Sequence, residues 1–184
     1  MRAQVVWIVV GLGNPDKKYS HTRHNVGKDF VSDMRESASW RAPKNIKVAE
    51  LNVYMNNSGG AIRKLIPSKK AAEKLIIMHD DLDLPLGKIK ISFGSGAGGH
   101  NGVKSVERAL KTQEFVRVRI GISPTTPSGK VKRPDPKKIV DFVLSPFRPA
   151  ELEKLKKSKK QVSEALKLIA TKGVERAQTE INKK

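Results

Sequence analysis

Apolar and polar residues follow two different periods along this chain, and each change of period marks a new element of secondary structure. The run VVWIVVGL, residues 5–12, is apolar without alternation, as in a strand that is covered on both faces. In NVGKDFVSDMRESASW, residues 25–40, apolar side chains recur every fourth residue and predict one buried face of a helix. These side chains are Val26, Phe30, Met34 and Ala38.

The central part of the chain continues this order of strands and helices. EKLIIMHDDLDLPLG, residues 73–87, predicts a central strand that runs out into an acidic loop, and FVRVRIGI, residues 115–122, alternates like a half-covered strand. Shorter strands are predicted over residues 46–51 and 88–93, and helices over residues 56–66 and 103–111. We therefore expect an α/β fold: a single domain over residues 1–184, with a mixed, twisted β-sheet and helices on both faces.

The last third of the chain predicts a loop and then a long helix. Residues 123–138, SPTTPSGKVKRPDPKK, are basic and rich in Pro, Ser and Gly, so they predict a loop that buries nothing. Apolar residues at helical spacing predict a C-terminal helix over about residues 149–172, with a break near Gly173 and a basic, frayed turn beyond it. Its apolar residues are Leu152, Leu155, Val162, Leu166 and Ile169.

Charge and composition narrow the classes of function. The 37 Lys and Arg against 18 Asp and Glu give a formal charge of +19, which predicts a polyanionic partner, nucleic acid first and an anionic membrane surface second. Without any Cys, a disulfide framework, a thiolate zinc site and a Cys nucleophile are excluded. The N-terminal apolar run is far shorter than the roughly twenty residues of a membrane-spanning helix, so we expect a buried strand there, not a signal peptide or membrane anchor.

Polar side chains follow the predicted strands where each of them ends. His24 comes after the first strand, and Asp80 lies at the end of the central strand. If these strands are parallel neighbours, the two side chains come within reach of each other, because functional groups gather at that edge of a sheet. A His that is oriented by a carboxylate is the usual general-base pair. The serines do not stand in G-x-S-x-G, so we expect water as the nucleophile.

The other histidines and carboxylates of these segments have plainer interpretations. We expect a solvated His21, and a structural His79 on the strand face opposite to its neighbour. His100 has two open interpretations, an RNA contact or an anchor for the glycine-rich turn GSGAGGHNG. Asp81 and Asp83 are expected to cap or turn a loop.

A metal site and a nucleotide cofactor are the weaker alternatives. The HDD segment with His24 and His100 could supply metal ligands, but the chain lacks the i, i+4 His spacing and the Cys pairs that make a metal prediction strong. GLGNP lacks the later glycines of a dinucleotide fingerprint, and GSGAGGHNG lacks the Gly-Lys-Ser/Thr ending of a P-loop. We therefore expect no metal and no cofactor.

Six segments resemble, in this order, those of the bacterial-type peptidyl-tRNA hydrolases: GLGNP, KKYSHTRHNVG, YMNNSG, HDDLDLPLGKIK, GAGGHNGVKS and RVRIGI. The resemblance runs from about residue 5 to residue 122 and continues more weakly through VDFVLSPF into the last helix. It implies hydrolysis of the ester that joins a peptide to the terminal ribose of tRNA, which recycles tRNA from abandoned translation. It also implies a cytoplasmic protein with peptidyl-tRNA as its partner and no membrane, and we expect a monomer.

The resemblance assigns roles to individual residues. His24 matches the catalytic base, Asp80 the residue that keeps it basic, and Asn14 the asparagine that helps to distinguish peptidyl from free aminoacyl ends. Lys104 and Arg119 match positive positions near the tRNA backbone, and Lys130 matches another less securely. The residues that would line the site for the tRNA end and the peptide are Tyr19, Tyr54, Asn56 and Asn101, with Met55 as an apolar wall.

Two features depart from the family pattern, and two alternative functions stay open. The stretch between Trp40 and Tyr54 is shorter than in known relatives, which puts the sheet edge at residues 41–53 in question, and the last helix is unusually rich in lysine. One alternative is a non-catalytic module on the same scaffold that binds RNA or protein, as plant organelle splicing factors resembling this family do. A generic basic RNA-binding protein is the other. Neither explains why His24, Asp80 and Asn14 occur together.

Overall fold

A five-stranded sheet forms the centre of the computed structural model, which describes residues 6–38 and 40–183. The strands are β1 (Trp7–Gly11), β2 (Ile46–Ala49), β3 (Leu75–Pro85), β4 (Ile89–Phe93) and β5 (Val116–Ser123). Their order is β2-β1-β3-β5-β4, and all neighbours are parallel except β4, which runs antiparallel to β5. The predicted mixed α/β sheet is therefore confirmed.

Helices cover both faces of this sheet. They are α1 (Val26–Glu36), α2 (Ser58–Leu65), α3 (Lys69–Ala72), α4 (Asn101–Leu110), α5 (Ile139–Leu144), α6 (Pro149–Lys172) and α7 (Val174–Asn182). Apolar residues of α1, α6 and α7 pack on one face, and those of α2 and α4 pack on the other. None of the helices in the described part of the chain has the length and apolar character for crossing a membrane.

The middle strand β3 is buried on both faces, as its continuous apolar run predicted. Ile76 and Met78 belong to the apolar cluster under α1 and α6, whereas Leu75 and Ile77 belong to the cluster under α2 and α4. All four side chains are fully buried. Because burial of one such side chain is worth about 1.5–3 kcal/mol, this strand holds the two layers together.

Several predicted boundaries are wrong. The first helix ends at Glu36, so Ala38 lies in the following turn and is exposed. The acidic residues after the apolar run belong to β3, where the pairing with β5 shifts between Asp81 and Pro85. The backbone still pairs where the side chains become acidic, which a hydrophobic pattern does not reveal. Val5, at the start of the predicted first strand, and Ser39, near the end of the predicted first helix, lie outside the described residues.

The C-terminal part confirms the long helix and corrects the prediction for the residues beyond it. α6 has the predicted bounds and ends at Gly173, whose φ of 85° lies in the left-handed region. The predicted frayed turn is wrong, because Ala177 and Ile181, four residues apart, bury one side of α7 against the sheet. The side-chain oxygen of Asn182 also accepts a hydrogen bond from the backbone of Ile91 in β4 at 2.8 Å. Leu152, expected inside, is 39% exposed.

Candidate active site

The site lies where β1 and β3 end side by side. These strands are parallel neighbours, with Gly11 paired to Met78, so the loop after β1 meets the end of β3. Gly27 at the start of α1 makes the contact close, since a Cβ there would lie 2.2 Å from the carbonyl oxygen of Met78. A larger residue would push α1 away from the sheet. The glycine therefore brings the preceding turn, Arg23–Asn25, against β3.

Two imidazole rings converge on one buried carboxylate. His24 Nδ1 lies 3.0 Å from Asp80 Oδ1 and 3.1 Å from Oδ2, and His100 Nε2 lies 2.8 Å from Oδ1. The Asp80 side chain is 4% exposed, and the two rings are 4.8 Å apart between centroids. The structure thus brings together His24 and Asp80, as the sequence predicted, and adds His100.

The hydrogen bonds around His100 define the tautomer of its neutral ring. His100 is the N-cap of α4, and its Nδ1 accepts a hydrogen bond from the backbone N–H of Val103 at 3.3 Å. The proton of the neutral ring therefore sits on Nε2 and is donated to Asp80. The sequence left two interpretations of His100 open, an RNA contact or an anchor for the glycine-rich turn. In the structure His100 does anchor the end of that turn. Its position just before a helix was the signal for capping, but nothing in the sequence pointed to its bond with Asp80.

The same tautomer argues against a metal at this cluster. His24, Asp80 and His100 offer ligand atoms within 4.8 Å of one another. Coordination through Nε2 of His100 would move its proton to Nδ1, where it would face the N–H of Val103. Two donors would then point at each other. The three side chains therefore fit a hydrogen-bonded network better than a metal site.

The electrostatics of the pair favour a basic His24. Burial lowers the pKa of His24, but the charge of Asp80 and its hydrogen bond more than offset this, so the pKa is raised above the ordinary 6.5. Burial alone would raise the pKa of Asp80, yet the two facing histidines hold it well below its usual range. Asp80 therefore stays a carboxylate. Because Nδ1 of neutral His24 donates its proton to Asp80, Nε2 is the nitrogen that can accept a proton.

A cavity of about 160 Å³ opens in front of this cluster. His24, Asp80 and His100 line it with polar groups, and three residues of α5 give it an apolar wall. The wall residues are Ile139, Val140 and Val143, and Val140 is 64% exposed at the rim.

Gly98 and Gly99 have φ values of 58° and 91°, so the loop turns tightly beside His100 where other residues would be strained. The helical α5 was not predicted, although its apolar VDFVL segment signalled an element there.

His79 also lines this cavity, which corrects the prediction that strand alternation removes it from the site. Its ring lies 4.8 Å from that of His100 in an edge-on contact, because the His100 ring reaches across the end of β3. Nδ1 of His79 donates to the carbonyl oxygen of Asp80 at 2.7 Å. Burial lowers the pKa of His79 well below its ordinary value, with the neighbouring His100 adding to the effect.

Asn14 is held so that its amide N–H₂ is the group left to donate. Its Oδ1 accepts from the backbone N–H of Met55 at 2.9 Å, which defines which way the amide points. Asn25 locks the main chain of Asn14 through bonds of 2.8 and 3.0 Å. Nδ2 of Asn14 makes no hydrogen bond to the residues that the structure describes. Met55 is buried against Gly102. A Cβ at position 102 would lie 2.4 Å from the sulfur of Met55, so any larger residue there would displace this side chain.

The two tyrosines lie on the surface beside Asn14. Tyr54 is 49% exposed and donates its hydroxyl to Asp16 at 2.8 Å. This hydrogen bond raises the pKa of Tyr54. Tyr19 is half-buried, and its carbonyl oxygen accepts from both the backbone and the side chain of Thr22. Neither ring lines the His24 cavity, and their predicted role at the site for the tRNA end and the peptide stays a prediction.

The remaining predicted residues separate into two places. Asn56, Asn101 and Lys104 share a depression of about 340 Å³ next to the cavity, and Asn101 lines both. Arg119 lies on β5, where its Nε donates to Asp81 at 2.5 Å and its Nη1 to Ser92 at 3.2 Å. The predicted cation at Arg119 is thus already paired. Asp81 also accepts from the backbone N–H of Asp83, a local bond within β3 where the sequence predicted a loop.

His21 and the shortened sheet edge complete the comparison with the sequence. The His21 side chain is 76% exposed, as expected for a solvated residue. Between residues 41 and 53, the four-residue strand β2 pairs in parallel with β1 and forms the edge of the sheet. The shorter stretch therefore still supplies a strand beside β1.

Comparisons with known proteins identify the family. Residues 8–184 match the family model described as peptidyl-tRNA hydrolase. Proteins named peptidyl-tRNA hydrolase from Thermodesulfovibrio yellowstonii and Fervidobacterium nodosum are 36% and 39% identical, and the matches cover 96% and 95% of this chain and 98% and 95% of theirs. The crystal structure of peptidyl-tRNA hydrolase from Acinetobacter baumannii superposes with a TM-score of 0.78 at 25% identity, covering 99% of this chain and 97% of that one. The chain belongs to the peptidyl-tRNA hydrolase family.

Proposed function

We propose that the protein hydrolyses the ester between the peptide and the terminal ribose of peptidyl-tRNA, with His24 as the general base. One observation carries this assignment: Nδ1 of His24 is held by Asp80 at 3.0 Å, so the ring is oriented with its other nitrogen available to the cavity. A neutral imidazole in that tautomer can accept a proton only at Nε2. Family membership supplies the substrate class.

Water is the nucleophile in this mechanism. Among the described residues that line the cavity, none is a Ser, Thr or Cys, so an acyl intermediate on a hydroxyl or a thiol has no side chain to form on. His24 Nε2 takes a proton from water as the oxygen attacks the ester carbonyl. The imidazolium that forms faces Asp80, whose negative charge stabilises it.

The carbonyl oxygen of the ester gains negative charge during the attack. The amide of Asn14 is a suitable donor because Met55 holds its oxygen and leaves Nδ2 free. Collapse of the tetrahedral intermediate breaks the bond to the ribose oxygen, which receives the proton from His24. The products are a peptide carboxylic acid, which loses its proton to solvent, and a tRNA with a free terminal hydroxyl, and the enzyme returns to its starting state.

The tRNA backbone is bound through the basic side of α4 in this proposal. Lys104 and Arg108 are exposed and line the depression that adjoins the cavity, together with Asn56 and Asn101. Such contacts neutralise phosphates without reading sequence, which suits an enzyme that acts on many tRNAs. Arg119 contributes less charge than the sequence suggested, because Asp81 already pairs with it.

The test compares N-blocked aminoacyl-tRNA with its unblocked counterpart, using wild type and His24→Gln. Wild type should release acid only from the blocked substrate. The variant should lose about a hundredfold or more in kcat, because glutamine cannot act as a base, and should keep its affinity for tRNA. His21→Gln is the matched control, since its side chain is 76% exposed and touches no part of the cavity. Equal loss of binding and turnover in His24→Gln would contradict the role of the base, and no cleavage by wild type would indicate a binding module.

We also propose that the protein works as a cytoplasmic monomer, because the substrate arises where proteins are translated. The His24 cavity is complete within one chain. Sedimentation of the active enzyme at working concentration tests the monomer: a dimer that dissociates with loss of activity would contradict it.

A further inference from the structure

The residue before the proposed base is a buried arginine that the mechanism does not use. Arg23 has a side chain that is 6% exposed, although a guanidinium stays charged at any ordinary pH. Burial of such a charge is unfavourable unless it is paired and hydrogen-bonded. Arg23 does not line the cavity, so its role must act through other residues.

The guanidinium hydrogen-bonds to three residues of the C-terminal segment, Ser145, Pro146 and Glu151. Nη1 donates to Ser145 Oγ at 2.8 Å, to the carbonyl oxygen of Ser145 at 3.2 Å and to that of Pro146 at 2.7 Å. Nη2 donates to both carboxylate oxygens of Glu151, at 2.9 and 2.8 Å. Glu151 in turn accepts from the backbone N–H of Arg148, which ties the first turn of α6 into the same set of bonds. We call this set the Arg23 clamp.

Two aromatic rings also lie against the guanidinium. The guanidinium carbon lies 4.6 Å from the ring centroid of Phe142 in α5 and 5.1 Å from that of Phe147. Arginine over aromatic faces is favourable, and more so where water is excluded. The clamp therefore binds the end of α5, the linking segment and the start of α6 to a single side chain.

Main-chain bonds show that the same clamp holds the turn that carries His24. Arg23 N donates to the carbonyl oxygen of Ser145, and Phe147 N donates to that of His21, both at 3.1 Å. His21 has a φ of 60°, a left-handed conformation that residues other than glycine rarely adopt and that persists only where the surroundings hold it. The turn is therefore held from the C-terminal segment as well as from α1.

We propose that Arg23, through Glu151, is a positioning residue that fixes the distance between His24 and the apolar wall of α5. The base lines the cavity together with Ile139, Val140 and Val143 of α5. Arg23 joins the turn that carries His24 to the end of α5, through Ser145 and Phe142. A clamp of this kind orients the substrate acyl group against the base, where a displacement of about 1 Å costs about a hundredfold in rate. This inference rests on the proposed hydrolase function for its kinetic test.

The test uses Arg23→Lys, which keeps the charge and loses the fork, and Glu151→Gln, which keeps the size and loses the charge. Arg23→Lys should lower kcat about tenfold or more while KM for N-blocked aminoacyl-tRNA stays within about twofold, because the phosphate contacts lie elsewhere. Glu151→Gln should show a smaller fall of the same kind. The matched control is Arg35→Lys, an arginine in the last turn of α1 whose partner is the exposed Glu50.

Two further readouts separate positioning from simple stabilisation. Guanidinium ion at low, non-denaturing concentration should restore kcat in Arg23→Ala, by filling the space between Phe142 and Phe147. An NMR titration of the His24 ring, which needs no turnover, should give a lower pKa in Arg23→Lys than in wild type. The reason is that His24 drifts from Asp80 when its turn loosens.

The outcomes distinguish this inference from the proposed function. An inactive wild type would contradict the hydrolase, and the His24 titration would then decide the clamp alone. If Arg23→Lys and Glu151→Gln melt at lower temperature but keep the wild-type kcat and the wild-type His24 titration, the clamp is structural and the inference is wrong. A rise in KM at unchanged kcat would also overturn it, because Arg23 would then serve substrate binding. Should Arg23→Lys fail to fold, Glu151→Gln carries the same comparison.

Discussion

Removal of the charge on Asp80 is the sharpest perturbation of the proposed site. Asp80→Asn keeps the size of the side chain, and its amide oxygen can still accept from His24 and His100. The amide nitrogen, however, takes the place of Oδ2, which lies 3.1 Å from His24 Nδ1. A donor then faces a donor, and the developing imidazolium loses its counter-charge.

The size of the effect depends on the distance between the two groups. His24 Nδ1 and Asp80 Oδ1 are 3.0 Å apart, and at an effective dielectric constant of about 20 two unit charges at that distance attract by about 5 kcal/mol. If about half of the proton charge has reached the ring in the transition state, about 2.5 kcal/mol of its stabilisation is lost. We therefore expect kcat to fall by about 50- to 100-fold.

The assay is a pH profile of kcat on N-blocked aminoacyl-tRNA. The base works only when neutral, and the pKa of His24 is raised, so the wild-type rate should fall with decreasing pH along a limb that lies above pH 6.5. In Asp80→Asn burial still lowers the pKa of His24 but the carboxylate no longer raises it, so the limb moves to lower pH. Asp33→Asn, which removes a surface carboxylate paired with Lys159, is the matched control.

Two results would refute this reasoning. A kcat for Asp80→Asn within about threefold of wild type would show that the carboxylate does not stabilise the transition state. An acid limb that stays in place would show that the titrating group is not the His24 that faces Asp80. Melting curves of both variants ensure that a fall in rate is not a loss of folded protein.

Three other substitutions test separate parts of the structure. Asn14→Asp keeps the acceptor for Met55 and loses the N–H₂ donor, so kcat should fall about a hundredfold or more in the same assay. Lys104→Gln should raise KM and reduce the slope of log KM against log salt by about 1, whereas Lys69→Gln, an exposed lysine outside the depression, should change neither. Burial raises the pKa of Asp29 from 3.8 to about 6, so its ionisation costs stability above that pH, and Asp29→Asn should stabilise the protein by up to about 3 kcal/mol there and by nothing below pH 3.8. Urea unfolding at the two pH values measures this last effect, and a gain that does not depend on pH would contradict it.

The hydrophobic pattern predicted the elements that bury an apolar stripe or a continuous apolar run. β3 and α6 belong to this group, because their apolar residues recur with the period of the element itself. α7 was missed, since only two of its residues are fully buried and polar residues separate them. The extension of β3 through its carboxylates was missed for a related reason, because pairing by backbone hydrogen bonds leaves no trace in side-chain polarity.

The sequence by itself determined the class of fold and, through its motifs, the family. It predicted the pairing of His24 with Asp80 on the condition that β1 and β3 are parallel neighbours, and the tertiary structure supplies that condition. Only the tertiary structure decided that His100 shares Asp80, that Arg119 is already paired with Asp81, and that Arg23 joins the base to α5. These contacts link residues that are between 20 and 128 positions apart. Their geometry depends on how neighbouring loops stack above the sheet, and neither local propensity nor periodicity carries that information.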